Sequence, residues 1–118
     1  YEIINSCVNK NLKSINIDWN KNKSLCIVLC SKGYPEKFTN NLEIMNLNQI
    51  SLESNEFIFH AGTKLNKTKI FSNGGRVLNF VVISEEFKES RLRAIEIIKK
   101  INWTNGFFRK DIGFKVID

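Results

Sequence analysis

Residues 73–101 read NGGRVLNFVVISEEFKESRLRAIEIIKKI, and this stretch decides the fold class. Asn73-Gly74-Gly75 is a hairpin signal, because consecutive positive φ angles suit Asn and Gly. Arg76–Ile83 is short, apolar and β-branched, which predicts the returning strand. The pattern changes at Ser84. Ser84 predicts an N-cap, and Glu85 and Glu86 complement the positive end of a helix dipole. Phe87, Ala94, Ile95, Ile98 and Ile101 then fall on one helical face. Glu89, Arg91, Arg93, Glu96, Lys99 and Lys100 fall mostly on the other. A hairpin strand running directly into an amphipathic helix points to an α+β domain.

Working upstream, Phe57–Leu65 (FIFHAGTKL) predicts a strand, and Asn66-Lys67 a turn into Thr68–Ser72. Leu25–Ser31 (LCIVLCS) predicts a buried strand by its length and apolar run. Gly33-Tyr34-Pro35 ends it. Residues 42–52 carry scattered apolar positions and stay ambiguous. Asn16–Ser24 is a polar loop with Trp19 as its one anchor. Residues 2–12 predict a helix, with Ile4, Cys7, Val8 and Leu12 at helical spacing. Downstream, Asn105-Gly106 ends the main helix. Phe107–Lys110 and Gly113–Ile117 predict a short strand or loop and a final strand. The sum is an α+β fold, antiparallel and β-rich, with two helices.

Composition bounds the class. The 118 residues fit one domain. A 42% hydrophobic and 25% charged chain is neither disordered nor collagen-like. The longest apolar run, Leu25–Cys30, is far too short for a membrane helix. The net charge of +6 comes from 14 Lys and 4 Arg against 12 acidic residues, spread without a dense basic block. Of the three cysteines, Cys26 and Cys30 sit roughly 13 Å apart along one strand, too far for a disulfide. They are expected to be small buried hydrophobes in a reduced, cytoplasmic protein. Tyr1-Glu2 opens no basic n-region, so no signal peptide is expected. The chain begins at Tyr1 inside a helical pattern, without an initiator Met or a cap, and is expected to continue a longer protein.

The chain carries no GxGxxG, no GxxxxGK[ST] and no HExxH motif, and its one histidine has no nucleophile at triad spacing. Four polar turns remain. Ser31-Lys32-Gly33-Tyr34-Pro35 follows a buried strand, where ligands often sit; a plain turn is the simpler reading. His60-Ala61-Gly62-Thr63-Lys64 offers Lys64 to a phosphate, or holds a structural His60. Asn73-Gly74-Gly75-Arg76 offers backbone N–H groups and a guanidinium to an anion, or is only a turn. Phe107-Phe108-Arg109-Lys110-Asp111-Ile112-Gly113 offers an Arg-Lys corner held by Asp111, or a charged turn.

In order, GYP, FHAGTKL, SNGGRVL, the Glu-rich amphipathic helix and FFRKDIG resemble the carboxy-terminal part of the phosphoribosylamine–glycine ligase family. The resemblance spans essentially the whole chain. It implies that residues 1–14 are the closing helix of a preceding ATP-grasp domain and that 15–118 are the family's C-terminal domain. It implies an ATP-consuming enzyme of purine biosynthesis, joining glycine to 5-phosphoribosylamine through an acyl phosphate. ATP and Mg²⁺ or Mn²⁺ would be bound upstream of Tyr1, so no catalytic residue and no metal ligand is expected here. The fragment alone would be inactive and would complete the substrate cleft. The partners are then small-molecule substrates and the upstream domains, with no nucleic acid and no membrane.

By the same resemblance, Arg109 and Lys110 of RKDIG would grip the ribose 5-phosphate, with Asp111 orienting them. Gly74, Gly75 and Arg76 of NGGRV would line the same pocket, and Lys64 of AGTK would join them. The chain departs from the family after GYP, where Glu36, Asn41 and Leu42 replace a Gly and a Gly-Asp pair. Asn41 can supply the left-handed backbone that Gly offers. Two other readings stand beside this one. A structural interdomain module would bury surface and touch no substrate. A small basic RNA-binding domain would need clustered charge and an aromatic RNA motif, which this sequence lacks.

Overall fold

The structure, a computed structural model, describes residues 1–117. Its centre is the pairing of β1 (Lys23–Ser31) with β5 (Arg76–Ser84), antiparallel, with Leu25 opposite Val82, Ile27 opposite Phe80 and Leu29 opposite Leu78. Side chains alternate across a strand. These six therefore share one face, and all six are buried. β2 (Glu56–His60) pairs with the outer side of β5, and β6 (Gly106–Phe107) with the outer side of β1. The sheet order is β2-β5-β1-β6. A bulge between Leu29 and Cys30 brings Cys30 opposite Arg76. Bulges of this kind commonly re-aim side chains next to functional sites.

α2 (Phe87–Ile101) covers the buried face with Ala94, Ile97, Ile98 and Ile101. Ile44 from the 41–50 loop completes this core. The helix forms where the sequence predicts it. Its N-cap is Glu86, however, with no side-chain capping bond. Ser84 belongs to β5; its hydroxyl donates to the Glu86 carbonyl at 2.7 Å and lies 2.6 Å from the Ser90 hydroxyl. The helix stops at Asn102, which adopts the left-handed conformation (φ 49), ahead of Asn105-Gly106. Glu56 is the buried charge of the core face and pairs with Arg93 of α2.

The run Phe57–Leu65 is not one strand. It breaks at Ala61-Gly62 into β2 and β3 (Thr63–Asn66), and β3 pairs with β4 (Lys69–Ser72) in a separate two-stranded sheet. The Asn66-Lys67 turn forms as expected, with Lys67 left-handed (φ 53). Asn73-Gly74-Gly75 does not close a hairpin, because β4 and β5 belong to different sheets. Neither glycine there lies in the left-handed region; close approach is what requires them. A Cβ on Gly75 would lie 2.0 Å from Tyr34 Cδ2, and one on Gly74 would lie 3.2 Å from Gly62 Cα.

Other expectations are corrected. The first helix, α1, spans only Glu2–Val8, followed by a 3₁₀ turn at Leu12–Ser14. No residue of α1 is buried, and Trp19 is 79% exposed, so it anchors nothing. Residues 114–116 form a 3₁₀ turn and not a final strand, because Gly113 is left-handed (φ 83). Cys7 and Cys26 are exposed and Cys30 is half-buried. All three are free thiols and none belongs to the core. Cys26 and Cys30 alternate along β1 with the buried Leu25, Ile27, Leu29 and Ser31, so they face away from α2. No helix is long and apolar enough to cross a membrane among the described residues.

Candidate functional site

Three of the four polar turns meet at one junction. The Ser31 N–H donates to the Gly75 carbonyl at 2.8 Å, and the Ser31 hydroxyl donates to the Gly74 carbonyl at 2.9 Å. The Asn73 N–H donates to Gly62 O at 2.7 Å, and the Gly62 N–H donates to Arg76 O at 2.8 Å. Strand β1, the Ala61-Gly62 break and the Asn73-Gly74-Gly75 segment are thereby laced together. Backbones this close leave no room for Cβ atoms, which is why glycines recur here. Asn41 is left-handed (φ 63), a backbone that Asn tolerates better than most residues. His60 bonds locally: its Nδ1 lies 2.9 Å from the Thr63 hydroxyl.

The junction opens onto the sheet face that α2 leaves bare. Register places Phe57, Val81 and Cys26 in one row of this face, and Phe59, Asn79 and Val28 in the next. Phe57 and Phe59 stack with centroids 5.9 Å apart and remain 38% and 53% exposed. The last row is Arg76, Cys30 and Phe107. Two interstrand spacings put Arg76 and Phe107 about 10 Å apart across Cys30. Cys26, Val28, Cys30, Tyr34, Phe107 and Arg109 are among the residues lining a mostly apolar hollow of about 330 Å³ on this face.

Arg109 stands at the rim of that hollow, exposed, and is held by Asp111 through two hydrogen bonds. Nε donates to Oδ1 at 3.0 Å and Nη2 to Oδ2 at 2.5 Å. The hydrogen bond from Arg109 holds the Asp111 carboxyl below its ordinary pKa, and Asp111 in turn raises that of Arg109. Burial pushes the Cys30 thiol up, while the nearby Arg76 charge pulls it part of the way down. Burial alone raises Cys26. Both thiols are therefore held toward the neutral, weakly nucleophilic form.

The structure places Gly74, Gly75 and Arg76 at the junction, with Arg76 opposite Cys30, and Arg109 at the rim of the hollow that Cys30 also lines. It does not bring all the expected residues together. Lys110, next to Arg109, lines a different hollow of about 350 Å³ with Lys99, Trp103 and Phe108. Neighbouring side chains of an extended segment point to opposite sides. Lys64 is exposed on the β3–β4 hairpin and lines neither hollow. One supporting residue carries no sequence signal of its role. Arg91, half-buried at the flank of α2's packed face, donates to the Ile112 carbonyl at 2.9 Å and to the Lys110 carbonyl. Its charge pattern reads only as a solvated helix face.

No group of three His, Cys, Asp or Glu converges to hold a metal ion among the described residues. What the site presents is the Arg109 guanidinium at the rim of an apolar hollow, with Arg76 opposite Cys30. A guanidinium beside an apolar surface suits an anion and an apolar partner together.

Comparison with known proteins gives the family of this fold. The family described as "Phosphoribosylglycinamide synthetase, C domain" matches residues 24–115. A phosphoribosylamine–glycine ligase of Fusobacterium nucleatum is 39% identical over 112 residues, which are 94% of this chain and 26% of that protein. One of Agrobacterium fabrum is 38% identical over 106 residues, 90% of this chain and 25% of that protein. The crystal structure of a phosphoribosylamine–glycine ligase from Thermotoga maritima superposes with TM-score 0.70 at 26% identity. It covers 95% of this chain and 28% of the Thermotoga chain. The chain thus spans about a quarter of the length of the curated relatives it matches. With its matched segment running from β1 to the 3₁₀ turn at residues 114–116, the chain belongs to the phosphoribosylglycinamide synthetase C-domain family.

Proposed function

We propose that this chain works as the last domain of an ATP-grasp phosphoribosylamine–glycine ligase. That enzyme joins 5-phosphoribosylamine and glycine, with ATP consumed, in cytoplasmic de novo purine synthesis. Residues 1–14 then close the preceding domain, which is why α1 buries nothing against the sheet. ATP and Mg²⁺ or Mn²⁺ belong to other parts of the ligase. This domain's contribution is to complete the cleft and to hold the substrate's 5-phosphate.

The observation that carries this reading is the placement of Arg109 at the rim of the hollow that Cys30 lines, with Arg76 opposite Cys30 on the neighbouring strand. A phosphate monoester carries up to two negative charges and suits paired guanidinium groups. Asp111 orients Arg109 and keeps its planar fork fixed before the substrate arrives. Gly74 and Gly75 let the backbone come close, and Lys110 would act only if the remainder of the ligase draws substrate across both hollows; Lys64, which lines neither, has no part in this reading. The test is Arg109→Ala and Lys110→Ala in the whole ligase. Arg109→Ala should raise KM for phosphoribosylamine by about tenfold or more, the usual scale for losing a charged hydrogen bond. KM for glycine should not move. An unchanged KM for phosphoribosylamine would falsify the assignment.

The apolar lining of the hollow below Arg109 favours a second reading for that part of the face. A sugar phosphate does not need Val28, Phe107 and Ile112. These side chains suit packing against the rest of the ligase, with Arg109 at the edge of the seam.

A further inference from the structure

We infer that Arg91 is a positioning residue for the phosphate-binding arginine, acting through the main chain of the 109–113 turn. This rests on the reading of Arg109 given above. Arg91 sits half-buried on α2 and is spent on backbone: its Nε donates to Ile112 O at 2.9 Å and its Nη2 donates to Lys110 O. Those two carbonyls flank Asp111. None of the ion pairs among the described residues includes Arg91. Asp111 in turn holds the Arg109 guanidinium by two bonds. The sequence of contacts runs from a rigid helix, through Arg91, to the carbonyls of the residues before and after Asp111, and from Asp111 to Arg109. Gly113 keeps the path short: a Cβ there would lie 2.6 Å from Leu25 Cδ1 and 3.7 Å from Arg91 Cδ.

A planar fork with several fixed donors bridges two carbonyls from one side chain in a single fixed geometry. Without it, the turn is tied to α2 by fewer bonds, and Asp111 and Arg109 lose their fixed position as a pair. The loss falls on substrate affinity, because misplacing a binding group weakens complementarity without touching the reacting atoms.

The experiment is a double-mutant cycle in the whole ligase with Arg91→Ala, Arg109→Ala and the pair, reading kcat, both KM values and Tm. Arg91→Gln, which keeps side-chain donors, serves if Arg91→Ala folds poorly. Arg91→Ala should raise KM for phosphoribosylamine roughly three- to tenfold, on the scale of a lost hydrogen bond or two. Arg91→Gln should fall between. KM for glycine should hold, and the rise should vanish in the Arg109→Ala background, because residues acting through one another are non-additive. A lowered Tm with unchanged KM at Arg91, while Arg109→Ala raises KM, overturns the positioning role and leaves the reading of Arg109 intact. Fully additive effects overturn it as well. If Arg109→Ala itself leaves KM unchanged, the reading of Arg109 fails and the role of Arg91 fails with it.

Discussion

A methyl group added at Gly75 would lie 2.0 Å from Tyr34 Cδ2 and 2.6 Å from Cε2. Both residues are tied into the junction, so neither yields cheaply. Gly75→Ala should destabilise the fold by about 2 kcal/mol, the usual scale of an overpacked contact. Tyr34→Ala should relieve most of that cost in the double variant, read as urea midpoints. Glu56 is the other sensitive residue. Its side chain is 2% exposed, and its carboxylate accepts from Arg93 Nε and, at 3.1 Å, from Nη2. The hydrogen bond from Arg93 holds its pKa below the ordinary value, against the opposing push of burial. A carboxylate lowered on folding adds stability above its unfolded pKa, about 4.3, and loses it as pH falls through the folded value. Glu56→Ala should therefore cost about 3 kcal/mol at pH 7, as for one lost partner of a buried pair. It should also flatten the acid side of the stability profile. A variant that keeps the parent's acid sensitivity would show that other carboxylates govern it.

At the scale of elements, α2 shows what stops a helix. Asn102 is left-handed (φ 49), a conformation that costs most residues about 1–2 kcal/mol. Asn102→Gly should raise Tm slightly and Asn102→Ala should lower it; equal Tm values would mean the cap contributes nothing. β1, β5 and α2 were legible because their apolar periods are regular. The cysteines were misread because both rows of β1 are apolar: Leu25, Ile27 and Leu29 on one side, Cys26, Val28 and Cys30 on the other. A continuous run cannot tell a strand buried on both faces from one with a bare apolar face. Asn73-Gly74-Gly75 was read as a turn that needs positive φ, yet its glycines answer to Tyr34 and Gly62, which local sequence does not reveal. The site is legible in the same partial way. The family motif picks out Arg109 and Arg76, but consecutive numbering hides that Lys110 faces another hollow. Arg91, whose partners are carbonyls from a later turn, leaves no trace in a charge pattern.

Over the whole molecule, the Cα radius of gyration of 17.0 Å exceeds the roughly 13 Å of a compact domain near this length. The excess has a plain source: α1 buries no residue, and residues 16–22 are almost wholly exposed. The bare sheet face, with Phe57, Phe59, Val28 and Cys26, is of a kind that marks interaction surfaces. If this domain completes a ligase cleft, Cys26 should be alkylated more slowly in the native whole ligase than in this domain alone; equal rates would mean the face stays open. The most direct test is a crystal structure of the whole ligase soaked with its product, glycinamide ribonucleotide. The account predicts the product's 5-phosphate within hydrogen-bonding distance of the Arg109 guanidinium, on the sheet face opposite α2 and beside Arg76. A phosphate bound elsewhere, with Arg109 still held by Asp111 alone, would contradict it.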